Sequence, residues 1–153
     1  MTTTLVHAPV ELVFDLARDV REHTSAMAHT GERVVAPGRL SGLLDAGDLV
    51  CFRARHFGLW LGLDARVVSM EAPTTFSDEQ VRGPFASLRH DHFFAPTGAG
   101  TLVTDRIGWR SPLGPVGRLA DEVAVRRQLL GILTARNTHL KRRAEILAAG
   151  SAA

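Results

Sequence analysis

The spacing of apolar positions changes twice along the chain. After a short opening rich in Thr, Leu and Val, Pro9 introduces "VELVFDLA", with Val10, Val13, Phe14 and Ala17 at i, i+3, i+4 and i+7. That spacing places all four on one face of an amphipathic helix, and proline suits a first helical position because its missing N–H is not needed there. A second short helix is predicted over residues 22–29, stopped at Gly31. "ERVVAPGRL" predicts a brief strand broken at Pro37-Gly38. From Gly47 onward the apolar residues alternate. "DLVCFRARHF" and "LWLGLDARVVSM" predict a hairpin about Gly58, "TFSDEQVR" and "ASLRHDHFF" a second one about Gly83-Pro84, and "TLVTDRIGWR" a last strand after "PTGAG". Together they form a meander of about five antiparallel strands.

From Leu113 to Leu147 the spacing returns to three and four. Val116, Leu119, Ala120, Val123, Leu130, Leu133, Asn137, Leu140, Ala144 and Leu147 follow it, with one break at Arg127. Most of the basic residues, Arg136 among them, are read as lying off that stripe. About 30 helical residues make a rod of roughly 45 Å. Such a helix is too long to cap a sheet edge and is expected to lie across the sheet. Gly131 sits inside it and marks either a close packing contact or room left for a ligand. The expected organisation is one domain over residues 1–149 with a frayed tail at 150–153. Strands and helices segregated in this way make the fold class α+β. A curved sheet wrapped around one long helix leaves a gap that side chains do not fill, a natural ligand cavity.

Composition narrows the partners. The chain has 153 residues, 45% hydrophobic and 22% charged, as a soluble globular domain does. Its basic residues are 17 Arg and the single Lys141, yet the formal net charge is only +2, which gives no reason to expect nucleic-acid binding. Heavy Arg, Ala and Gly use suggests a bacterial source. The lone cysteine, Cys51, excludes an internal disulfide and fits a reducing compartment. No signal-peptide pattern opens the chain and no apolar run of ~18 residues occurs, so a cytoplasmic protein without stable membrane insertion is expected.

Three stretches carry a family resemblance. "APVELVF" opens the first helix, and "FSDEQVRGPFASLRHDHFF" at 76–94 is followed by "GTLVTDRIGWRSPLGPVGRLA". They match the pattern F-x-D-x-Q-x-x-G-P-[YF]-x-x-[WL]-x-H-x-H-x-F, then G-T-x-[VL]-x-D, then P-L-G. In this the chain resembles a polyketide cyclase/dehydrase-like bacterial subgroup of the START-like, or SRPBCC, superfamily. The resemblance covers nearly the whole chain. It implies the helix-grip fold: a curved antiparallel sheet of about six to seven strands around a long C-terminal helix, with two short helices after the first strand. The superfamily includes polyketide aromatase/cyclases, birch-pollen-allergen-like proteins and lipid-transfer domains, and it is generally metal-free. The chain departs from it in a short first strand, in Leu88 where a tryptophan is common, and in having no tyrosine to serve as a cavity phenol.

Strand parity suggests which side chains face the helix. Val103, Asp105, Ile107 and Trp109 are expected inward, as are Val50, Phe52, Ala54 and His56, and Leu61, Leu63, Ala65 and Val67. Phe76, Asp78, Gln80 and Arg82 share a parity on one strand, and His90, His92 and Phe94 on the next, so the inner face is expected to gather His56, Asp78, Gln80, His90, His92 and Asp105. A one-residue bulge would reverse any of these. Three readings compete for the polar inner group. It holds the strands in register as a bonded network. Alternatively, a histidine works as general acid or base, with Asp105 or Asp78 setting its tautomer. In the third, His90-x-His92 binds a metal with a carboxylate. The catalytic candidates are His90, His92 and Asp105. The ligand-binding candidates are His56, Asp78, Gln80, Arg82, Phe52, Phe94, Trp109 and Leu130. No metal or cofactor is expected. Trp60 is read as a packing residue, and Cys51 lacks a base that would make it a nucleophile. The expected partner is a small hydrophobic molecule, which the protein would cyclise or dehydrate as an enzyme of specialised metabolism. The alternative is a carrier that uses the same cavity without chemistry; a third makes dimerisation or partner contact the main role.

Overall fold

Both changes of spacing mark real boundaries in the backbone. The computed structural model describes residues 1–56, 59–112 and 121–151. Strand β1 (Thr2–Val6) leads into helices α1 (Val10–Ala17) and α2 (Val20–Ala26), a 3-10 turn at Ala28–Thr30 and strand β2 (Arg33–Val35). Pro9 stands one residue earlier than expected, at the N-cap of α1 rather than inside it. Asp19 caps α2 by accepting the Arg21 N–H, which starts that helix ahead of residue 22. Gly31 ends the 3-10 turn with φ of +67°, a left-handed angle that glycine reaches without strain.

The meander then runs β3 (Leu49–His56), β4 (Leu59–Glu71), β5 (Thr75–Arg82), β6 (Ser87–Thr97) and β7 (Gly100–Arg110). The seven strands form one curled antiparallel sheet in the order β1-β7-β6-β5-β4-β3-β2. Short as it is, β1 pairs with β7 along its whole length, from Thr2–Asp105 to Val6–Thr101. The expected Gly58 turn lies outside the described residues.

Across the concave face runs α3 (Arg126–Ser151), entered through a π-helical turn at Asp121–Val125. Its buried seam is Leu129, Leu133, Asn137, Leu140 and Ala144. Leu130 is off that seam, and Val123 is 74% exposed. The π turn closes on i→i+5 bonds and takes up an extra residue, so a stripe counted through it falls out of phase before Arg126. Leu130 lies inside the regular helix, about 100° round from Leu129 and at the margin of the seam. Val116, Leu119 and Ala120 lie outside the described residues. Gly150 and Ser151 are still helical rather than frayed, and 152–153 are outside the described residues. No helix among the described residues is long and apolar enough to cross a membrane.

One end of the sheet and helix closes on a dry core. Phe14 of α1 meets Phe76 and Phe94 edge-on, at ring-centre distances of 5.7 and 5.3 Å, and Val6, Val13, Val103, Leu140 and Ala144 complete the cluster. Edge-to-face aromatic pairs add to the burial of the rings themselves. This end is full. The space for a ligand lies toward the other.

Gly131 is exposed, and nothing comes within 4 Å of where its Cβ would be, so it marks neither a packing contact nor ligand space. Gly131→Ala should therefore raise stability by about 0.5–1 kcal/mol in a urea melt. Gly100 has φ of +132°, and a Cβ there would run into the Val6 carbonyl oxygen and lie 2.9 Å from His7 Cα. Gly100→Ala should lower stability in the same melt.

Candidate functional site

Between the sheet and the first half of α3 lies a cavity of about 330 Å³. Val50, Phe52 and Ala54 of β3 line it, with Leu61, Leu63, Ala65 and Val67 of β4, Leu88 of β6, Ile107 of β7, and Leu129, Ile132 and Leu133 of α3. The strand residues in this wall follow the expected parity, because side chains alternate across a pleated strand. The volume suits a small organic molecule. Polar groups enter the wall mainly at His23, Glu32, Asp78, His90, His92 and Arg136.

Strand register gathers the histidines and carboxylates. Asp78 lies opposite His90 across β5–β6, and His92 opposite Asp105 across β6–β7. Asp105 is 2% exposed. Its Oδ1 accepts from His90 Nε2 at 3.0 Å and from His92 Nδ1 at 2.9 Å, while its Oδ2 accepts from Asn137 Nδ2 at 2.6 Å. The other ring nitrogen of His92, Nε2, donates to Asp78 Oδ2 at 3.1 Å. A histidine that donates to a carboxylate from both nitrogens carries both protons, so His92 is an imidazolium. It stacks on Phe76 at 4.1 Å. His90 uses only Nε2 in this way, which leaves the Nδ1 lone pair facing Arg136 Nη1 at 3.5 Å, too long for a good hydrogen bond. Two carboxylates thus meet one imidazolium and one guanidinium, and the buried group is neutral as a whole.

The acidities follow from that arrangement. Burial alone would raise Asp105, but the donors of His90 and His92 overcome it and hold the carboxyl well below its usual range. Burial likewise opposes ionisation of Asp78, and the His92 bond and the nearby cations outweigh it. Burial pushes His92 down, yet its bonds to Asp105 and Asp78 raise it overall. For His90 burial wins, reinforced by the neighbouring His92 cation, and the imidazole falls to about 4. His90 is therefore neutral near pH 7, with one free nitrogen.

Several expected residues stand elsewhere. Gln80 clamps the β5–β6 turn, donating to the Phe85 carbonyl at 2.7 Å and accepting its N–H at 3.3 Å. A bulge separates the pairs Ala65–Gln80 and Asp64–Arg82, which turns Arg82 to the outer face, exposed and beside Asp64. Phe94 belongs to the aromatic core and borders only a small gap of about 20 Å³ beside α2. Trp109 is half-buried opposite Leu88 near the end of β7 and is not part of the cavity wall. Leu130 is likewise off the wall, which α3 reaches through Leu129, Ile132 and Leu133 instead. The His56 side chain lies outside what is described. Trp60 is 58% exposed, with the Arg33 guanidinium 5.1 Å over its ring, and is no core residue. Cys51 sits on the outer face but is buried, and burial raises its thiol.

Parity and periodicity missed three wall residues. His23 stacks on Phe52 at 4.5 Å and lies 2.9 Å from Glu32 Oε1, and burial lowers its pKa despite that contact. The seven residues of α2 are too few to show a face. Arg136 stands seven after Leu129 and three after Leu133, so helical spacing does place it inward; its charge made it look like a surface residue.

The pH response has a definite sign. His90 is depressed from 6.5 to about 4 and His23 is also depressed, so unfolding takes up protons in this window. The His90 and His23 contribution should be intact above about pH 6.5 and fall as the pH is lowered toward 4. The raised His92 instead contributes stability that is lost as the pH climbs through its folded value, so the urea midpoint should fall on both sides. Asp105→Asn leaves the buried cations uncompensated and should cost about 3–5 kcal/mol in the same assay.

No family model matches the chain, and no curated protein matches it in sequence. Solved structures do. TTHA0849 from Thermus thermophilus superposes with a TM-score of 0.76 at 18% identity, covering 96% of this chain and 97% of that one. The di-domain ARO/CYC StfQ from the steffimycin biosynthetic pathway gives 0.75 at 13% identity, over 97% of this chain and 50% of its own. Major latex-like protein 151 from Panax ginseng gives 0.68 at 13% identity, over 94% of each chain. At these identities the likeness is one of fold. The chain has a helix-grip fold, as its resemblance implied.

Proposed function

We propose that the cavity binds one small, mainly apolar molecule and orients it by an oxygen at the His90–Arg136 end, as a polyketide cyclase/dehydrase-like protein would. The observation that carries this is one long, weak contact, 3.5 Å between His90 Nδ1 and Arg136 Nη1, in a mainly apolar wall. His90 Nδ1 offers a lone pair, and the Arg136 guanidinium beside it offers N–H donors. A carbonyl oxygen would accept from Arg136 while a hydroxyl or acidic C–H faces His90. Arginine stabilises negative charge that develops on such an oxygen, and His90 takes the proton. Asp105 fixes the His90 tautomer. His92 has no unused nitrogen and serves as a positioning residue. The fold likeness to an ARO/CYC protein supports this reading.

One observation favours the carrier reading instead. A base depressed to about 4 is weak near neutrality, so the same pair would orient a ligand without transferring its proton.

A fluorescent hydrophobic probe should bind once per chain, and Ala54→Trp, which fills the wall from β3, should weaken it at least about tenfold with the fold retained. Failure of the probe to bind, or indifference to Ala54→Trp, would remove the cavity reading. With a polyketide-like carbonyl substrate, His90→Gln should abolish turnover and leave affinity within about threefold. Tight binding by the wild type without any turnover would establish the carrier.

A further inference from the structure

Asp105 does more than neutralise charge. Through one oxygen it grips His90 Nε2 and His92 Nδ1, fixing both imidazoles by one nitrogen each. The nitrogens left over are His90 Nδ1 and His92 Nε2, and the latter already meets the Asp78 carboxylate at 3.1 Å. One donor atom from each of Asp78, His90 and His92 lies within 4.8 Å of the other two. All three residues line the cavity.

We propose that Asp78, His90 and His92 form a site for a single divalent transition ion of the zinc class, open to the cavity, with Asp105 as the outer carboxylate that orients both histidines. Two imidazoles and one carboxylate, with positions left vacant, are a donor set such ions accept. Histidines that hold a metal regularly give their second nitrogen to a carboxylate, which is the role of Asp105 here. Donors around a tetrahedral ion stand about 3.3 Å apart, given bond lengths near 2.0–2.2 Å. Closing a spread of up to 4.8 Å to that value needs side-chain movement of about 1 Å, most of it available to Asp78, whose side chain is 24% exposed. The ion takes the place of the proton now held between His92 and Asp78. Arg136 Nη1, 3.5 Å from His90 Nδ1, opposes it and must swing into the cavity. The vacant positions face the space assigned to the ligand and suit a carbonyl or enolate oxygen. That last point rests on the cavity reading; the ion site does not, and with the ion bound His90 Nδ1 is a ligand and no longer takes a proton.

The test uses tag-free protein, stripped with chelator and titrated with Zn²⁺ by calorimetry and with Co²⁺ by its visible absorption. One ion per chain is expected. Asp78→Asn should weaken it at least about 100-fold, a loss larger than removing an outer partner causes. Arg136→Gln should tighten it by removing the opposing charge, and Glu32→Gln should leave it unchanged. Absence of stoichiometric binding in both wild type and Arg136→Gln would overturn the site. So would equal affinity in wild type and a folded Asp78→Asn, since the ion would then sit elsewhere. Probe binding to the chelated protein separates the two readings: if the probe binds and no ion does, the metal site alone is wrong.

Discussion

A carboxylate buried in the middle of a sheet must be bonded on every side, and Asp105 sets the terms for the rest of this molecule. It faces inward from β7 at 2% exposure and accepts from three donors on two other elements. Moving such a charge out of water costs several kcal/mol, so its partners are not free to leave. The strand register that brings His92 opposite Asp105 also brings Asp78 opposite His90. Asn137 then ties α3 to the same carboxylate and fixes the helix over the sheet. Sheet register, helix position and the state of both histidines are one linked choice.

That choice shapes the cavity. The aromatic cluster around Phe14 fills one end, and the Asp105 network stands between it and the open space. Because His92 is bonded at both nitrogens, the network presents His90 Nδ1, Arg136 and the Asp78 carboxylate to whatever binds. Arg136 and His92 supply the positive charge that two buried carboxylates need. Polar matching and ligand orientation are therefore served by the same side chains.

Much of this was legible in the chain itself. Alternation located the five-strand meander and its inner face, because one side of the sheet is buried and the other wet. It also put Asp78, His90, His92 and Asp105 together. The failures have several physical causes. The bulge near Val81 reversed Arg82, and Leu130 stands at the edge of a seam that Leu129 enters instead. Gln80 has the right parity, but the nearby turn offered its amide two backbone partners. Arg136 has the right helical spacing but the wrong chemistry for a simple apolar stripe. His23 and Glu32 come together only through the path of the chain between α2 and β2, which no spacing encodes.

The account turns on protonation. Two carboxylates hold His92 as an imidazolium, while His90 stays neutral with its proton on Nε2 and its Nδ1 open to the cavity. Nitrogen-15 NMR of the histidine side chains, on chelated protein at pH 7, reads this directly. The predicted spectrum shows His92 protonated at both nitrogens and His90 at Nε2 alone. A neutral His92, or a His90 protonated on Nδ1, would contradict it.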